Sequence, residues 1–197
     1  APLRGIDGYS LLLVEDYSEL LDQQGRLFLG NIRYGINRMN QLIDDLLAYS
    51  RLERRAVTRT PIYLKQMIQN IASEWINDPQ NRAKFSFNIN CQYIMADSES
   101  LTQALRNLID NAIKFPRDTQ EPCIEIGGAE NSDNCVLWVQ DNGIGFDMQY
   151  SDRIFEIFQR LNRDEDYPGT GIGLAMVRKA MERVGGRAWT ESAPGKG

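Results

Sequence analysis

Apolar residues recur at alternating steps of three and four over roughly the first fifty positions. Steps of this kind place one apolar stripe along each of two α-helices, as in supercoiled helix packing. We expect the second helix to run from about residue 22 to residue 54. The stripe positions are Leu3, Ile6, Ser10, Leu13, Tyr17 and Leu20 in the first helix, and Leu29, Ile32, Ile36, Met39, Ile43 and Leu46 in the second.

A hairpin of two helices has too small a core to cover such a stripe by itself. We therefore expect an antiparallel helical hairpin that pairs with a second copy, so that the homodimer contains a four-helix bundle. Packing of the stripe against the rest of the same chain is the alternative.

From about residue 57 the pattern changes to short strands that alternate irregularly with amphipathic helices. Such a mixture predicts an α+β sandwich, one mixed sheet covered by helices. We expect two domains, residues 1–55 and 56–197. The predicted elements are a strand in "AVTRTPIYL", a helix in "LKQMIQNIASEW", two short strands in "KFSFNI" and "QYIMAD", a helix over 98–115, strands near 122–128 and 134–141, a helix over 171–184, and a closing strand in "RAWTES".

Composition excludes several classes of function. The net charge is −5 with an isoelectric point near 4.9, whereas proteins that bind nucleic acid present a basic face. Three cysteines form no CxxC pair and histidine is absent, so we expect no zinc site. The sequence contains no apolar run of the ~20 residues that cross a bilayer and no signal peptide. We expect a cytoplasmic protein without direct membrane insertion.

Three glycines precede the last predicted helix, in "YPGTGIGLAMV" (167–177). Gly169, Gly171 and Gly173 alternate with Thr170 and Ile172. Glycine allows close approach to the main chain, and a helix N-terminus favours phosphate. A turn followed by an ordinary helix start is the alternative, and the spacing fits neither the P-loop nor the dinucleotide fingerprint.

A polar stripe follows one side of the helix "LTQALRNLIDNAIKF" (101–115). Gln103, Asn107, Asn111 and Lys114 fall on this stripe, next to an apolar arc of Leu101, Leu105, Leu108 and Ala112. Amide oxygens are ligands for Mg²⁺ and lysine offsets phosphate charge. The stripe is also what the solvated side of an amphipathic helix looks like.

The segment "CVLWVQDNGIGFD" (135–147) places a carboxylate at the end of an apolar row. By the period of two, Asp141 continues the face of Cys135, Leu137 and Val139. A buried carboxylate requires a hydrogen-bond donor, and the exocyclic amine of adenine fits, with the base lying against Gly143 and Gly145. The alternative is a tight turn capped by Asp141, because "DNG" is also a turn sequence.

An irregular stretch separates Phe146 from Gly169. Long connections often act as lids over sites. Phe155 and Phe158 are the candidate anchors of such a lid, and Arg160 is then placed to contact a phosphate. A surface helix with an ordinary phenylalanine stripe is the alternative.

The joint order of these four segments resembles the ATP-binding domain of sensor histidine kinases. They correspond to the N, G1, F and G2 boxes of the GHKL group, which includes gyrase, Hsp90 and MutL. Residues 1–54 resemble the dimerisation and phosphotransfer hairpin of the same kinases, in particular the phytochrome-like type.

The resemblance implies ATP and Mg²⁺ as ligands. Asn111 is expected to bind the metal, with Asn107 and Lys114 near the phosphates, and Asp141 to contact the adenine amine beside Gly143 and Gly145. Arg160 is expected to approach the γ-phosphate. The loop of Gly169, Thr170, Gly171 and Gly173, with Leu174 alongside, is expected to surround the phosphate chain.

Three departures from the family pattern are visible. Histidine is absent, so we expect the acceptor just upstream of Ala1, and nucleotide binding without autophosphorylation by these residues alone. Ala1 stands where the family uses a hydrogen-bonding residue, which predicts weak phosphatase activity. The family also adds a strand after "ESAPGKG".

The resemblance implies an ATP-dependent protein-histidine kinase of a two-component system, whose partners are an upstream sensory domain and a response-regulator receiver domain. Two other classes remain open. An ATPase clamp of the gyrase/Hsp90 type requires a catalytic acid near the start of the Asn-rich helix, where Glu99 is the nearby candidate. A non-catalytic dimerisation and docking module requires no nucleotide.

Overall fold

The computed structural model describes residues 2–116, 121–131, 134–161, 167 and 169–197. The chain divides into two compact units, Ala1–Ala48 and Tyr49–Gly197. The expectation about the side chain of Ala1 lies outside the described residues, as does the part of the predicted lid at 162–166 and 168.

The first unit is a helical hairpin. Helix α1 spans Pro2–Tyr17, and helix α2 begins at Gln23 and ends at Arg54, in agreement with the predicted limits of about 22 and 54. The carboxylate of Asp22 accepts a 2.7 Å hydrogen bond from the N–H of Gly25, which satisfies one of the free amides that begin a helix.

The apolar stripe of the hairpin is only partly covered within one chain. Ser10, Leu29 and Ile36 are buried. The other large apolar residues of the stripe are mainly 44–79% exposed, namely Ile6, Leu13, Tyr17, Leu20, Ile32, Met39, Ile43 and Leu46. A stripe of this size exposed to water favours association with another apolar surface.

The second unit contains the α+β part of the chain. Its elements are β1 (Arg59–Tyr63), α3 (Leu64–Ile76), β2 (Lys84–Ile89), β3 (Tyr93–Asp97), α4 (Ser98–Lys114), β4 (Cys123–Asn131), β5 (Asn134–Asp141) and α5 (Gly173–Val184), with two short 3₁₀ helices, Met148–Tyr150 and Arg153–Phe155.

The strands are mixed in direction, as predicted, but they form two ladders instead of one sheet. β1 pairs with β3 antiparallel, while β4 pairs parallel with β2 and antiparallel with β5. The division occurs after β2, where the Asn90 N–H makes one more bond to the Gly128 carbonyl (2.7 Å). The next residue, Cys91, is buried in the core, and the chain then enters β3.

One apolar core lies between these ladders and the helices α3 and α4. The predicted core arc of α4 is confirmed at Leu101, Leu105 and Ala112, which are all buried in this core. Leu108 packs instead in a smaller cluster between α4 and α5. Other fully buried members of the main core are Leu64, Ile68, Ile109, Ile124 and Ile126.

The closing strand predicted in "RAWTES" is wrong. Residues 186–193 carry no regular secondary structure. The guanidinium of Arg187 instead lies 5.2 Å from the ring of Trp189, and Ser192 bonds to a loop rather than to a strand. Within the described residues, no helix combines the length and the apolar character needed to cross a membrane.

Candidate functional site

Helix α4 carries the predicted polar stripe. Asp97 caps its start by accepting a 2.9 Å hydrogen bond from the Ser100 N–H. At its end, the Phe115 N–H donates to the Asn111 carbonyl (3.1 Å). Asn107 and Asn111 are half-buried on this helix, one turn apart, so their amides lie on one side of it.

Asn107 meets the first residue of α5. Its side-chain nitrogen donates to the Gln103 carbonyl (2.8 Å), which directs the amide oxygen away from α4's own backbone. A Cβ added to Gly173 would lie 2.9 Å from that oxygen. The structure therefore brings together two predicted site residues 66 positions apart in sequence, and glycine leaves the space between them open.

The glycine loop contacts Phe158, in the stretch that the sequence predicts as a lid. Gly171 has φ +74°, and its carbonyl accepts a 2.9 Å hydrogen bond from the N–H of Phe158. Phe158 has φ +67°, a conformation rare for a residue with a side chain. Thr170 and Leu174 are half-buried, while Gly169 is exposed with open space around it.

Asp141 ends β5 opposite Ile124. The residues of its predicted row, Cys135, Leu137 and Val139, pack against the core. Its Oδ1 accepts a 2.8 Å hydrogen bond from the Gly143 N–H, so the interpretation of "DNG" as a turn capped by Asp141 is confirmed. Burial raises the pKa of Asp141, and the bond from Gly143 opposes this only in part.

The loop after Asp141 is enclosed on two sides. On one side, the Ile144 N–H donates to the Phe115 carbonyl (3.2 Å), and a Cβ on Gly143 would collide with that same carbonyl. On the other side, Gly145, with φ +58°, faces the carbonyl of Ala193 without room for a side chain. Both glycines are therefore required by close backbone approaches.

Of the two phenylalanines predicted to anchor a lid, one is buried and the other is exposed. Phe155 is 6% exposed, whereas Phe158 is 60% exposed. The difference follows from the left-handed backbone of Phe158, which carries its ring outward while its N–H remains bonded to Gly171.

Arg160 contacts Tyr167, which precedes the glycine loop in sequence. Its Nη2 donates to the Tyr167 carbonyl (2.6 Å), and the ring of Tyr167 lies 5.1 Å from that of Phe115. A cavity of about 380 Å³ opens here. It is lined by Gly145, Phe146, Asp147, Tyr150, Arg153, Gln159, Arg160 and Leu161.

Lys114 forms an ion pair with Asp110, one helical turn earlier. No cluster of three or more His, Cys, Asp or Glu side chains suited to a metal ion occurs among the described residues.

Three residues near the site were not predicted. Phe115 supplies a carbonyl and a ring, and its position directly after Lys114 was the available clue. The side chain of Asn142 bridges the Cys123 N–H (2.9 Å) and the Glu121 carbonyl (3.1 Å). Ser192 bonds to the Phe146 N–H, and nothing in the local sequence indicates that contact.

Comparison with known proteins agrees with this arrangement. Residues 96–197 match the family described as "Histidine kinase-, DNA gyrase B-, and HSP90-like ATPase", and residues 1–55 match the "His Kinase A (phospho-acceptor) domain". The chain belongs to the histidine kinase family. The resemblance inferred from the four sequence segments is thereby confirmed, as is the fold class of a helical region followed by an α/β sandwich.

Among relatives of this chain, cyanobacterial phytochrome A of Nostoc sp. (strain PCC 7120 / SAG 25.82 / UTEX 2576) is 40% identical over 199 residues. The alignment includes 100% of this chain and 26% of the relative, so the chain spans about a quarter of that protein's length.

Two solved structures share the fold. Full-length ShkA in complex with AMPPNP has a TM-score of 0.71 at 23% identity, covering 99% of this chain and 41% of that one. ThkA in complex with the response regulator protein TrrA has a TM-score of 0.69 at 21% identity, covering 99% and 56%.

Proposed function

We propose that the second unit of this histidine kinase binds ATP with Mg²⁺. The observation that carries the proposal is the half-buried carboxylate of Asp141, which receives one hydrogen bond from its own turn and has a raised pKa. A charged carboxylate at this half-buried position is unfavourable without a further hydrogen-bond donor. The amine of a ligand supplies that donor. The fold shared with ShkA, which was solved with AMPPNP, supports the choice of nucleotide.

The residues around Asp141 have roles that fit this ligand. The adenine amine donates to Asp141, and the base lies against the backbone of Gly143 and Gly145. At the other end, the N-terminus of α5 presents free N–H groups of the kind that bind phosphate. Gly169, Thr170, Gly171, Gly173 and Leu174 form the approach to that terminus.

The donor set also fits a magnesium ion. Amide oxygens are hard ligands, and the oxygen of Asn107 faces Gly173 and not a hydrogen-bond donor of its own helix. Asn111, one turn later, is the proposed ligand, with Asn107 and Lys114 close to the phosphates. Bound Mg²⁺ neutralises phosphate charge during transfer.

We propose that the natural protein is an ATP-dependent protein-histidine kinase of a two-component system. The γ-phosphorus forms a bond to an imidazole nitrogen as its bond to the bridging oxygen breaks and ADP leaves. Arg160 and Lys114 offset the charge on the transferring group, so catalysis consists mainly of positioning and electrostatic stabilisation. The 197 residues include no histidine, and the acceptor in this proposal therefore lies outside them.

The phosphoryl group passes next to an aspartate of a response-regulator receiver domain. The match of residues 1–55 to a phospho-acceptor domain and the shared fold of ThkA, solved with a response regulator, support that partner. The exposed stripe of the hairpin supports a homodimer. The greater length of the relative, of which this chain spans 26%, supports an additional sensory domain.

The ATPase-clamp alternative is disfavoured by the environment of its candidate acid. Glu99 forms an ion pair with Arg55, and it lies in the first turn of α4, two turns before Asn107. The ion pair occupies the carboxylate that an ATPase clamp requires to activate water.

Calorimetry with Mg·ADP tests nucleotide binding. Asp141→Ala is expected to abolish measurable binding while thermal unfolding stays cooperative, and Asp152→Ala, at an exposed position near the lid, serves as the matched control. Unchanged binding in Asp141→Ala contradicts the proposed site.

Incubation of the natural full-length protein with γ-labelled ATP tests the reaction, and an acid-labile, base-stable label marks phosphohistidine.

A further inference from the structure

Residues 192–197 lie directly behind the loop that follows Asp141. The Gly195 N–H donates to the Ile144 carbonyl (2.6 Å). A Cβ on Gly197 would collide with the Asp141 carbonyl, and one on Gly145 with the Ala193 carbonyl. Two backbone segments about 50 positions apart therefore run at the closest distance that main chains allow.

The hydroxyl of Ser192 connects these segments. Its oxygen accepts a 2.9 Å hydrogen bond from the Phe146 N–H and donates a 2.8 Å hydrogen bond to the Gly197 carbonyl. The Gly197 carbonyl also accepts from the Ala193 N–H (3.1 Å). One hydroxyl thus closes the 192–197 turn and at the same time fixes its position on the loop.

The loop has contacts on its opposite side as well. There the Phe115 carbonyl accepts from Ile144 and blocks any side chain on Gly143. Residues 143–146 are consequently fixed between the end of α4 and the 192–197 turn. The Asp141 carboxylate is bonded to the Gly143 N–H, so a change in the shape of this loop changes the direction of the carboxylate.

We infer that Ser192 is a positioning residue for the nucleotide site, acting through the 143–146 loop on the side of the site that contacts the base. The inference rests on the proposed function, since it assigns this loop to adenine. Ser192 makes no contact with the ligand itself. An apolar side chain of the same size cannot replace its hydroxyl, because the two hydrogen bonds require both a donor and an acceptor.

Three variants of the natural full-length protein test the role. Ser192→Ala removes the hydroxyl, Ser192→Thr retains it, and Ser86→Ala removes a hydroxyl from an exposed position on β2 as the control. Loss of hydrogen bonds of about 1 kcal/mol corresponds to about a fivefold weaker Kd for Mg·ADP in Ser192→Ala. We expect Ser192→Thr and Ser86→Ala to bind within about twofold of the unsubstituted protein.

Hydrogen exchange provides a second measurement that does not depend on nucleotide. In Ser192→Ala, the amides of 144–146 are expected to exchange faster, while those of α3 remain unchanged and the melting temperature shifts by only a few degrees.

Several outcomes overturn the inference. The first is equal Mg·ADP affinity of Ser192→Ala and the unsubstituted protein. The second is equal weakening of binding by Ser192→Ala and Ser192→Thr, and the third is faster exchange across the whole unit in Ser192→Ala. The second result assigns the effect to packing and the third to general stability. Failure of the unsubstituted protein to bind Mg·ADP contradicts the proposed function instead, and the exchange experiment then still shows whether Ser192 orders the loop.

Discussion

The carboxylate of Asp97 accepts hydrogen bonds from one guanidinium nitrogen of Arg55, 42 residues earlier in the chain, at 2.9 and 2.8 Å. The same carboxylate caps α4 through the Ser100 N–H and accepts a 3.0 Å bond from the Thr58 N–H. Asp97 is therefore the point at which the chain after α2 is joined to the helix that carries Asn107.

Substitution of Asp97 is expected to destabilise the second unit. Its side chain is 2% exposed, and Asp97→Asn removes the charge that four hydrogen bonds share, at a cost of about 2–3 kcal/mol in the free energy of unfolding. Glu99→Gln is the control, because Glu99 also pairs with Arg55 but is 71% exposed, and we expect less than about 1 kcal/mol. Urea unfolding measures both, and equal effects would contradict the assignment.

The Asp97 contribution is expected to disappear in acid. Burial alone raises its pKa, but the bonds from Ser100, Thr58 and Arg55 outweigh burial and hold the pKa well below its usual range. Stability from a lowered pKa is present above the unfolded value, about 4, and is lost as the pH falls toward the folded value. The stability difference between the unsubstituted protein and Asp97→Asn should thus shrink below about pH 4, and urea midpoints at pH 7, 5, 4 and 3 measure it.

The contribution of Asp141 to stability is expected to depend on pH in the opposite direction from that of Asp97. Burial raises its pKa above the unfolded value, so its contribution to stability is present below the unfolded pKa and lost as the pH rises through the folded pKa. Asp141→Asn should therefore unfold at the same or a higher temperature than the unsubstituted apo protein at pH 7. Its affinity for Mg·ADP should fall about tenfold, since a charge-assisted hydrogen bond becomes neutral. A lower melting temperature with unchanged affinity would refute a binding role.

Gly173→Ala is expected to separate binding from stability. The new Cβ displaces the Asn107 amide, 2.9 Å away, while alanine is compatible with a helix start. We expect about fivefold weaker Mg·ADP binding, the equivalent of one hydrogen bond, with little change in melting temperature. Gly30→Ala, in α2 and outside the proposed nucleotide site, is the matched control, because nothing lies within 4 Å of its added Cβ. Calorimetry measures the Mg·ADP affinity of both variants. Equal weakening by the two alanines would exclude the Asn107 contact as the cause of the weaker binding.

A charge in the hairpin stripe is expected to weaken dimerisation. Ile43→Lys places an ammonium on the apolar stripe, whereas Gln41→Lys places the same group on an exposed polar position of α2. Each homodimer loses two isoleucines, one from each copy, at about 2 kcal/mol each. The dimer Kd is therefore expected to rise roughly a thousandfold. Light scattering over a dilution series measures this, and indistinguishable curves for the two variants would contradict association through the stripe.

Much of the secondary structure could be predicted from local sequence patterns. The limits of α2, the position of α3 and the end of β5 at Asp141 follow from periodicities of 3.6 and 2, which belong to the backbone of each element. The four polar and glycine-rich segments were identified for the same reason, because residue types and spacing define them. The left-handed backbone of Phe158 was not readable, since it depends on a hydrogen bond to Gly171.

Sequence alone determined the helices α1 to α5, the strands β1 to β5 and their order, and it identified the four segments that resemble the boxes of histidine kinases. Tertiary structure decided that the strands separate into two ladders, that "RAWTES" forms no strand, and that Ser192 supports the loop beside Asp141. The reason is one of distance along the chain. Helix and strand patterns depend on neighbours within a few residues, whereas the bond of Ser192 to Phe146 joins positions 46 apart and exists only once the core has brought them together.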